Sequence, residues 1–151
     1  MTQSAIHTHR VAVRWADFDR YGHLMNANYV EIAQEARLAW AEHNFFSQGR
    51  EFAAFVRHLD IDFRKPVEPE GTTELQVDSQ VVEIGNTSFV TRQEIKDKHG
   101  SVACVVECVQ VAVDVKTQKP RPLTDEEKAI LIDADETDAA TEADSGLGDI
   151  L

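Results

Sequence analysis

The fold is decided by residues 15–43, which read WADFDRYGHLMNANYVEIAQEARLAWAEH. In the second half of this stretch, apolar side chains recur at helical spacing and form one wide face, with charged and amide side chains opposite. The members of that face are Tyr29, Ile32, Ala33, Ala36, Ala39 and Trp40. The pattern predicts an amphipathic helix over residues 27–43. It contains five alanines, so another element can pack close to it.

Strands are predicted around this helix wherever polar and apolar residues alternate or an apolar run appears. These segments are residues 7–16, 58–64, 73–84, 87–96 and 102–115. Gly85-Asn86 suits a tight turn, so the two segments beside it should form an antiparallel hairpin. The last segment is apolar on both faces and predicts an interior strand.

Thr124 and Glu127 match a helix capping box, which predicts a short helix ending near residue 133. This order predicts an α+β fold with an antiparallel sheet.

Length and charge limit the classes of protein that fit. A chain of 151 residues with 42% hydrophobic content suits one domain, which we place at residues 1–133. Residues 134–151 contain six acidic residues and no Lys or Arg, so we expect a disordered acidic tail. The net charge of −12 argues against a nucleic-acid partner, because phosphate backbones require a concentrated basic surface.

The chain contains no apolar stretch long enough to cross a membrane, and residues 1–15 contain no continuous apolar segment of the secretory type. A cytoplasmic protein without a membrane partner is therefore expected. Cys104 and Cys108 lie on one face of a predicted strand, too far apart to bridge comfortably, and we expect buried, reduced thiols.

The connection between the first strand and the helix concentrates polar chemistry. Two carboxylates (Asp17 and Asp19), a histidine (His23) and two asparagines (Asn26 and Asn28) precede or begin the helix. The N-terminus of a helix offers unpaired N–H groups and a dipole that favours negative charge. Gly22 permits a positive φ, so the loop can fold back toward the helix start. Such a place can stabilise an oxyanion.

The pattern Asp-x-Asp-x-x-Gly-His-Leu-x-Asn-x-x-Tyr over residues 17–29 resembles the signature loop of hotdog-fold acyl-CoA thioesterases of the 4-hydroxybenzoyl-CoA thioesterase-like family. Residues 57–67 resemble the second strand of the same family. The resemblance implies a hotdog fold, in which a curved antiparallel sheet wraps a long central helix. It also implies active sites at the interface of a homodimer, which can double to a homotetramer as a dimer of dimers. No cofactor is expected.

The resemblance implies that Asp19 is the catalytic carboxylate and that the backbone N–H of Asn26 polarises the thioester carbonyl. Asp19 would activate water as a general base or attack directly to give a mixed anhydride, and the sequence leaves both routes open. His23 and the side chain of Asn26 are expected to orient water or substrate. His23-Leu24-Met25-Asn26 is similar to the aliphatic branch of the family, which makes an aromatic acyl group less expected.

The remaining assignments concern the acyl-CoA substrate. Tyr29 is expected to line the acyl pocket, and Asp17 is placed in the substrate site in an orienting or capping role. The anionic CoA arm needs local positive charge, for which we assign His58, Arg64, Lys65 and Arg92.

Structural roles compete with these assignments, because Asp17 and Asp19 suit turns and Asn26 suits a helix N-cap. Asp17-x-Asp19 could also hold a divalent metal ion, but a nucleotide-binding βαβ context is absent. His7 and His9 have no third ligand nearby, so no metal site is expected.

Three other functions use the same fold. They are a non-catalytic acyl-CoA-binding protein, a thioesterase acting on acyl carrier protein, and a hotdog dehydratase. The residue pattern of the dehydratases is not found in this sequence.

Overall fold

The computed structural model of the chain describes residues 6–132. Five antiparallel strands form one sheet, and one long helix, α1 (Asn26–Asn44), packs on it. The strands are β1 (His7–Ala12), β2 (Ala54–Phe63), β3 (Glu74–Ile84), β4 (Ser88–Lys96) and β5 (Val102–Ala112). Their order across the sheet is β1-β3-β4-β5-β2. The predicted α+β class and antiparallel sheet are confirmed. The predicted acidic tail lies outside the described residues, as does the predicted domain boundary at residue 133.

The middle of the sheet follows the alternation of the sequence. In β4, Phe89, Thr91, Gln93 and Ile95 are buried, while the residues between them are half-exposed. Gly85 donates its N–H to the carbonyl of Ser88 at 2.7 Å, which closes the predicted β3–β4 hairpin. β5 lies between β4 and β2, as its two apolar faces predicted.

Helix α1 covers one face of the sheet. Ala33 and Ala36 are almost completely buried and join Val77, Ile95 and Val106 in one apolar cluster. Small side chains at these two positions let the helix backbone approach the strands closely. A second cluster forms around Trp40 near the end of the helix and includes four aromatic side chains, Trp40, Phe45, Phe52 and Phe89.

A short helix, α2, follows at residues 125–132. Its predicted capping box is present: the Thr124 hydroxyl accepts the Glu127 N–H at 3.0 Å, and the Glu127 carboxylate accepts the Thr124 N–H at 2.9 Å. Arg121 adds two further hydrogen bonds to the same carboxylate. No helix within residues 6–132 combines the length and the apolar character needed to span a membrane.

Two predicted strands end earlier than expected, for the same physical reason. β1 stops at Ala12 rather than residue 16, because Asp17 accepts the N–H of Arg14 and residues Trp15–Asp17 form a 3-10 turn. The indole of Trp15 is consequently 89% exposed. β5 stops at Ala112 rather than residue 115, because Asp114 accepts two backbone N–H groups in a turn. In both cases a local hydrogen bond to a side chain competes with backbone hydrogen bonding between neighbouring strands.

β1 and β2 form the two edges of the sheet. β2 is the longer of them, and its large apolar side chains Phe55, Val56 and Phe63 are exposed. A long apolar edge of this kind offers unpaired backbone groups to another strand.

Candidate active site

A cavity of about 280 Å³ opens where α1 begins and β2 ends. It lies beneath the loop that the sequence singled out. Its lining residues are Asp19, His23, Leu24, Asn26, Tyr29, Phe63, Arg64, Lys65 and Pro66. Six of the nine predicted site residues are therefore brought together in one place.

The loop closes tightly around Asp19. One carboxylate oxygen, Oδ1, accepts the backbone N–H of Tyr21 at 2.8 Å and of His23 at 3.0 Å. The backbone of Asp19 adds two bonds, donating to the His23 carbonyl and accepting from Gly22. Gly22 has a φ of 78°, a conformation that residues with a Cβ adopt at a cost. The second oxygen, Oδ2, accepts no hydrogen bond from residues 6–132 and remains available to a reactant.

These bonds also determine the charge of Asp19. The N–H of His23, with help from that of Tyr21, lowers the pKa of Asp19 below its usual value. Hydrogen bonds to a carboxylate favour its ionised form. The group is therefore a carboxylate throughout the neutral range, able to accept a proton or to attack an electrophile.

The start of α1 provides the complementary partial charge. Met25, not Asn26, is the N-cap, and Met25 donates its N–H to the carbonyl of Asp17 at 3.0 Å. The alternative that Asn26 is the N-cap is wrong. Asn26 is the first helical residue, and its N–H finds no acceptor among residues 6–132. A free N–H at the positive end of a helix dipole suits a negatively charged oxygen.

Asp17 supports the loop and does not line the cavity. Its buried carboxylate accepts the N–H of Arg14 at 2.7 Å, the guanidinium of Arg14 at 2.8 Å and the side-chain amide of Asn28 at 3.1 Å. The backbone bond from Arg14 is the main reason that the pKa of Asp17 is lowered. Every side-chain bond of Asp17 is internal, which fits the orienting or capping role expected for it, and contact with the substrate stays a prediction.

Aromatic side chains form the apolar wall of the cavity. Tyr29 is buried and its ring meets that of Phe63 edge-on, with centroids 5.4 Å apart. Burial raises the pKa of Tyr29, so its hydroxyl stays protonated. Phe63 was not among the site residues predicted from the sequence. It shares the alternation of Leu59 and Ile61 toward the core, and that signal could have found it.

Cationic side chains reach only one rim of the cavity. Arg64 pairs with Asp62 at 2.9 Å, and Lys65 pairs with Asp97 at 3.2 Å. The Arg64–Asp62 pair is exposed on both sides and therefore weak, so Arg64 can turn toward an anionic ligand. Lys65 is about half-exposed, but its partner Asp97 is almost buried.

The other two cations assigned to the CoA arm do not line this cavity. Arg92 lies between Glu94 and Glu107, and it alternates with the buried side chains of β4, which puts it on the opposite face of the sheet from α1. His58 is exposed on β2, about 17 Å along the strand from Phe63. Neither side chain lines the cavity of its own chain, and contact of His58 or Arg92 with the CoA arm stays a prediction.

Within residues 6–132, no group of three or more His, Cys, Asp and Glu side chains is arranged to hold a metal ion. Both cysteines are free and buried in β5.

Comparison with known proteins places this geometry in a family. The family model of the thioesterase-like superfamily matches residues 13–131. The long-chain acyl-CoA thioesterase FadM of Escherichia coli (strain K12) is 29% identical over 121 residues, which cover 78% of this chain and 90% of FadM.

Two solved structures are similar in both fold and sequence. PA2801 of Pseudomonas aeruginosa is 26% identical with a TM-score of 0.70, covering 82% of this chain and 95% of its own. YbaW of Escherichia coli is 26% identical with a TM-score of 0.70, covering 83% of this chain and 98% of its own. Both are proposed to be thioesterases.

The fold and these relatives define the class as a hotdog-fold thioester hydrolase. The chain belongs to the thioesterase-like superfamily. The family resemblance drawn from residues 17–29 is confirmed.

Proposed function

We propose that this protein hydrolyses acyl-CoA thioesters to a carboxylic acid and CoA, with Asp19 as the catalytic carboxylate. The observation that carries the proposal is that Asp19 and Asn26 line one cavity of about 280 Å³, where Asp19 Oδ2 and the Asn26 N–H have no hydrogen-bond partner among residues 6–132. The similarity to FadM, named a long-chain acyl-CoA thioesterase, favours CoA as the thiol carrier. We place the activity in the cytoplasm.

The helix start supplies stabilisation for the reaction. When the thioester carbonyl carbon is attacked, negative charge develops on its oxygen. The N–H of Asn26 can donate to that oxygen, and the helix dipole adds to the effect. No acceptor within residues 6–132 competes for this donor, so the substrate oxygen only has to replace solvent there.

Asp19 can act by either of two routes. As a general base it removes a proton from water, the hydroxide oxygen bonds to the acyl carbon, and the CoA thiolate leaves and is protonated. As a nucleophile its Oδ2 bonds to the acyl carbon and expels the thiolate, after which water hydrolyses the mixed anhydride. His23 and the Asn26 side chain lie at the same cavity and would orient the water.

The rest of the cavity would position the substrate. Tyr29 and Phe63 would contact the acyl group near the thioester, and Arg64 with Lys65 would attract the phosphates of CoA.

The edge of the sheet favours a homodimer, which could double to a homotetramer. The β2 strands of two copies can pair antiparallel about a two-fold axis, because such an interface is self-complementary. Pairing would cover the exposed Phe55, Val56 and Phe63, and it would put the Ala54 end of one β2 beside the Phe63 end of the other. Sedimentation analysis at several concentrations tests this, and a monomer at all of them would contradict it.

The test of the catalytic assignment is thiol release from a panel of acyl-CoAs by wild type, Asp19→Asn and Asp114→Asn. Asp114 is a matched control, since its Oδ1 also accepts two backbone N–H groups in an exposed loop remote from the cavity. Asp19→Asn should lose about a hundredfold or more in kcat while Asp114→Asn stays near wild type.

Other outcomes point to the alternatives. An Asp19→Asn variant as active as wild type refutes the catalytic role. Cleavage of acyl carrier protein thioesters only would indicate the carrier-protein thioesterase. Tight binding of acyl-CoA without cleavage of either carrier would indicate a non-catalytic binding protein.

A further inference from the structure

A second cavity, of about 420 Å³, lies between the later half of α1 and the beginning of β2. Its volume is in the range of small-molecule sites, roughly 300–1,000 Å³. The walls are mainly apolar and include Leu38, Trp40, Phe46, Phe52, Phe55 and Val56. The catalytic proposal above makes no use of it.

A buried cation faces this cavity. Arg37 is only 7% exposed, yet no carboxylate within residues 6–132 forms an ion pair with it. Its Nη1 donates to Gln93 Oε1 at 2.9 Å. Gln93 is itself fixed by donating to the Ala33 carbonyl at 2.9 Å and to the Ser79 hydroxyl at 3.1 Å. A buried guanidinium held this rigidly without a counter-ion is unusual, because desolvated charges are normally paired.

The unbonded atoms of Arg37 form a specific shape. Nε and Nη2 have no hydrogen-bond partner among residues 6–132, and these two donors make up one side of the planar guanidinium. Two parallel N–H groups on that side match the two oxygens of a carboxylate. A hydroxyl or a carbonyl could satisfy only one of them well.

A second unpaired donor lies next to Arg37. The indole Nε1 of Trp40 is buried and has no hydrogen-bond partner, although Trp40 itself is only 3% exposed. Residues three apart on a helix are neighbours on its surface, and both side chains line the cavity. Indole N–H groups usually find an acceptor when they are buried. Both residues thus have donors without a partner among residues 6–132, and the positive charge of Arg37 favours an acceptor that carries negative charge.

The position of the cavity suggests what supplies this acceptor. The N-terminal part of α1 and the end of β2 line the cavity with Asp19, while later residues of α1 and the beginning of β2 line the second one. Both cavities therefore lie along the same helix and the same strand. Arg37 follows Asn26 by about three helical turns, on the same side of α1 and about 16 Å further along its axis. A long acyl chain can cover that span.

We propose that the second cavity receives the far end of the acyl chain, and that Arg37 and Trp40 select chains ending in a carboxylate. The preferred substrates are then ω-carboxyacyl thioesters, in which one end of a dicarboxylic acid is esterified to the thiol. This inference rests on the proposed function and narrows its substrate class. An acid from the β2 of a second copy is a poorer match, since Asp60 and Asp62 alternate with Leu59 and Ile61, which pack toward the core.

The experiment compares tetradecanoyl-CoA with tetradecanedioyl-CoA, which differ only in the terminal carboxylate. Wild type, Arg37→Met, Trp40→Phe and the control Arg10→Met are assayed for kcat/KM on both. Arg10 is an exposed arginine on β1 that pairs with Glu74, away from both cavities. The ratio of diacid to monoacid kcat/KM should fall roughly tenfold or more in Arg37→Met and less in Trp40→Phe, and should be unchanged in Arg10→Met.

Direct binding separates this inference from the proposed function. Calorimetry of free tetradecanedioic and tetradecanoic acids with Asp19→Asn should show tighter binding of the diacid, and Arg37→Met in that background should remove the difference. If neither thioester is cleaved but this binding pattern appears, the catalytic proposal fails and the carboxylate site stands.

Opposite outcomes overturn the carboxylate site alone. One such outcome is that both thioesters are cleaved and Arg37→Met does not change the ratio of their kcat/KM values. Another is that Arg37→Met dissociates the oligomer while the ratio of diacid to monoacid kcat/KM stays constant. That result would show that Arg37 contacts a second copy of the chain. Arg37→Lys keeps the charge and removes the paired donors, so it should fold and still lose selectivity, whereas retained selectivity would contradict the bidentate geometry.

Discussion

Replacing Asp17 with alanine should destabilise the protein and disturb the active-site loop without removing any group from the cavity. The substitution deletes the acceptor for the Arg14 backbone N–H, the Arg14 guanidinium and the Asn28 amide. Met25, the N-cap of α1, is tied to the carbonyl of Asp17, so the effect should also reach the helix start.

The loss of stability in Asp17→Ala depends on which of these donors can be hydrated once the carboxylate is removed. The Arg14 guanidinium is largely exposed and can be rehydrated, so its loss contributes little. The Arg14 N–H and the buried Asn28 amide are left without this acceptor, at about 1–3 kcal/mol each. Asn28 retains a longer bond to Glu31, which reduces the sum to about 3 kcal/mol. For a chain of this size that corresponds to a decrease in Tm of about 6–12 °C.

Thermal and urea unfolding of wild type, Asp17→Ala and the exposed control Asp114→Ala would measure this difference. Because the pKa of Asp17 is lowered in the folded state, its contribution is present above the unfolded pKa and is lost as pH falls through the lowered value. The gap between wild type and Asp17→Ala should therefore narrow below about pH 4. A loss of less than about 1 kcal/mol, or one equal to that of the control, would refute the reasoning.

Three further predictions concern reactivity, pH and helix capping. Burial raises the pKa of Cys104 to about 11, so a disulfide reagent at neutral pH should label the unfolded protein quickly and the folded protein hardly at all. Since the pKa of Asp19 is lowered, kcat/KM should remain on its plateau down to about pH 4, and an acid limb centred above about pH 5 would exclude Asp19 as its origin. Thr124→Ala should cost about 1 kcal/mol in urea unfolding while Thr124→Ser costs less, and equal losses would show that the hydroxyl bond to Glu127 is not the cause.

Periodic features of the sequence predicted the fold well. The helix forms at residues 26–44 against an expectation of 27–43, because its apolar face is wide and its alanines suit close packing. The β3–β4 hairpin was equally accessible from Gly85-Asn86 and its flanking alternation. The early ends of β1 and β5 could not be predicted from the alternation of polar and apolar residues. Asp17 and Asp114 accept hydrogen bonds from nearby backbone N–H groups, and these bonds end the strands although the alternation continues.

Some residues of the candidate site could be predicted from the sequence, and others could not. Asp19, His23 and Asn26 lie close in sequence, and one loop motif brought them together. The separation of Asp17 from the cavity depends on a local bond with Arg14 and on a bond from Asn28, and no hydrophobic pattern in the sequence signals either of them. The placement of Arg92 on the far face of the sheet requires knowing which face of β4 is covered by α1, which no local pattern contains. Arg37 was unremarkable in sequence because a missing counter-ion can be recognised only after the core is packed.

Strand order also has a consequence for how this chain is made. β2 pairs only with β5, which is the last strand along the chain, so β2 has no partner until Ala112 has been synthesised. At about 5–20 residues per second, the interval after Phe63 lasts several seconds. Throughout it the nascent chain presents Phe55, Val56 and Phe63 on an unpaired strand. During translation, β2 can therefore be captured by chaperones or by other growing chains.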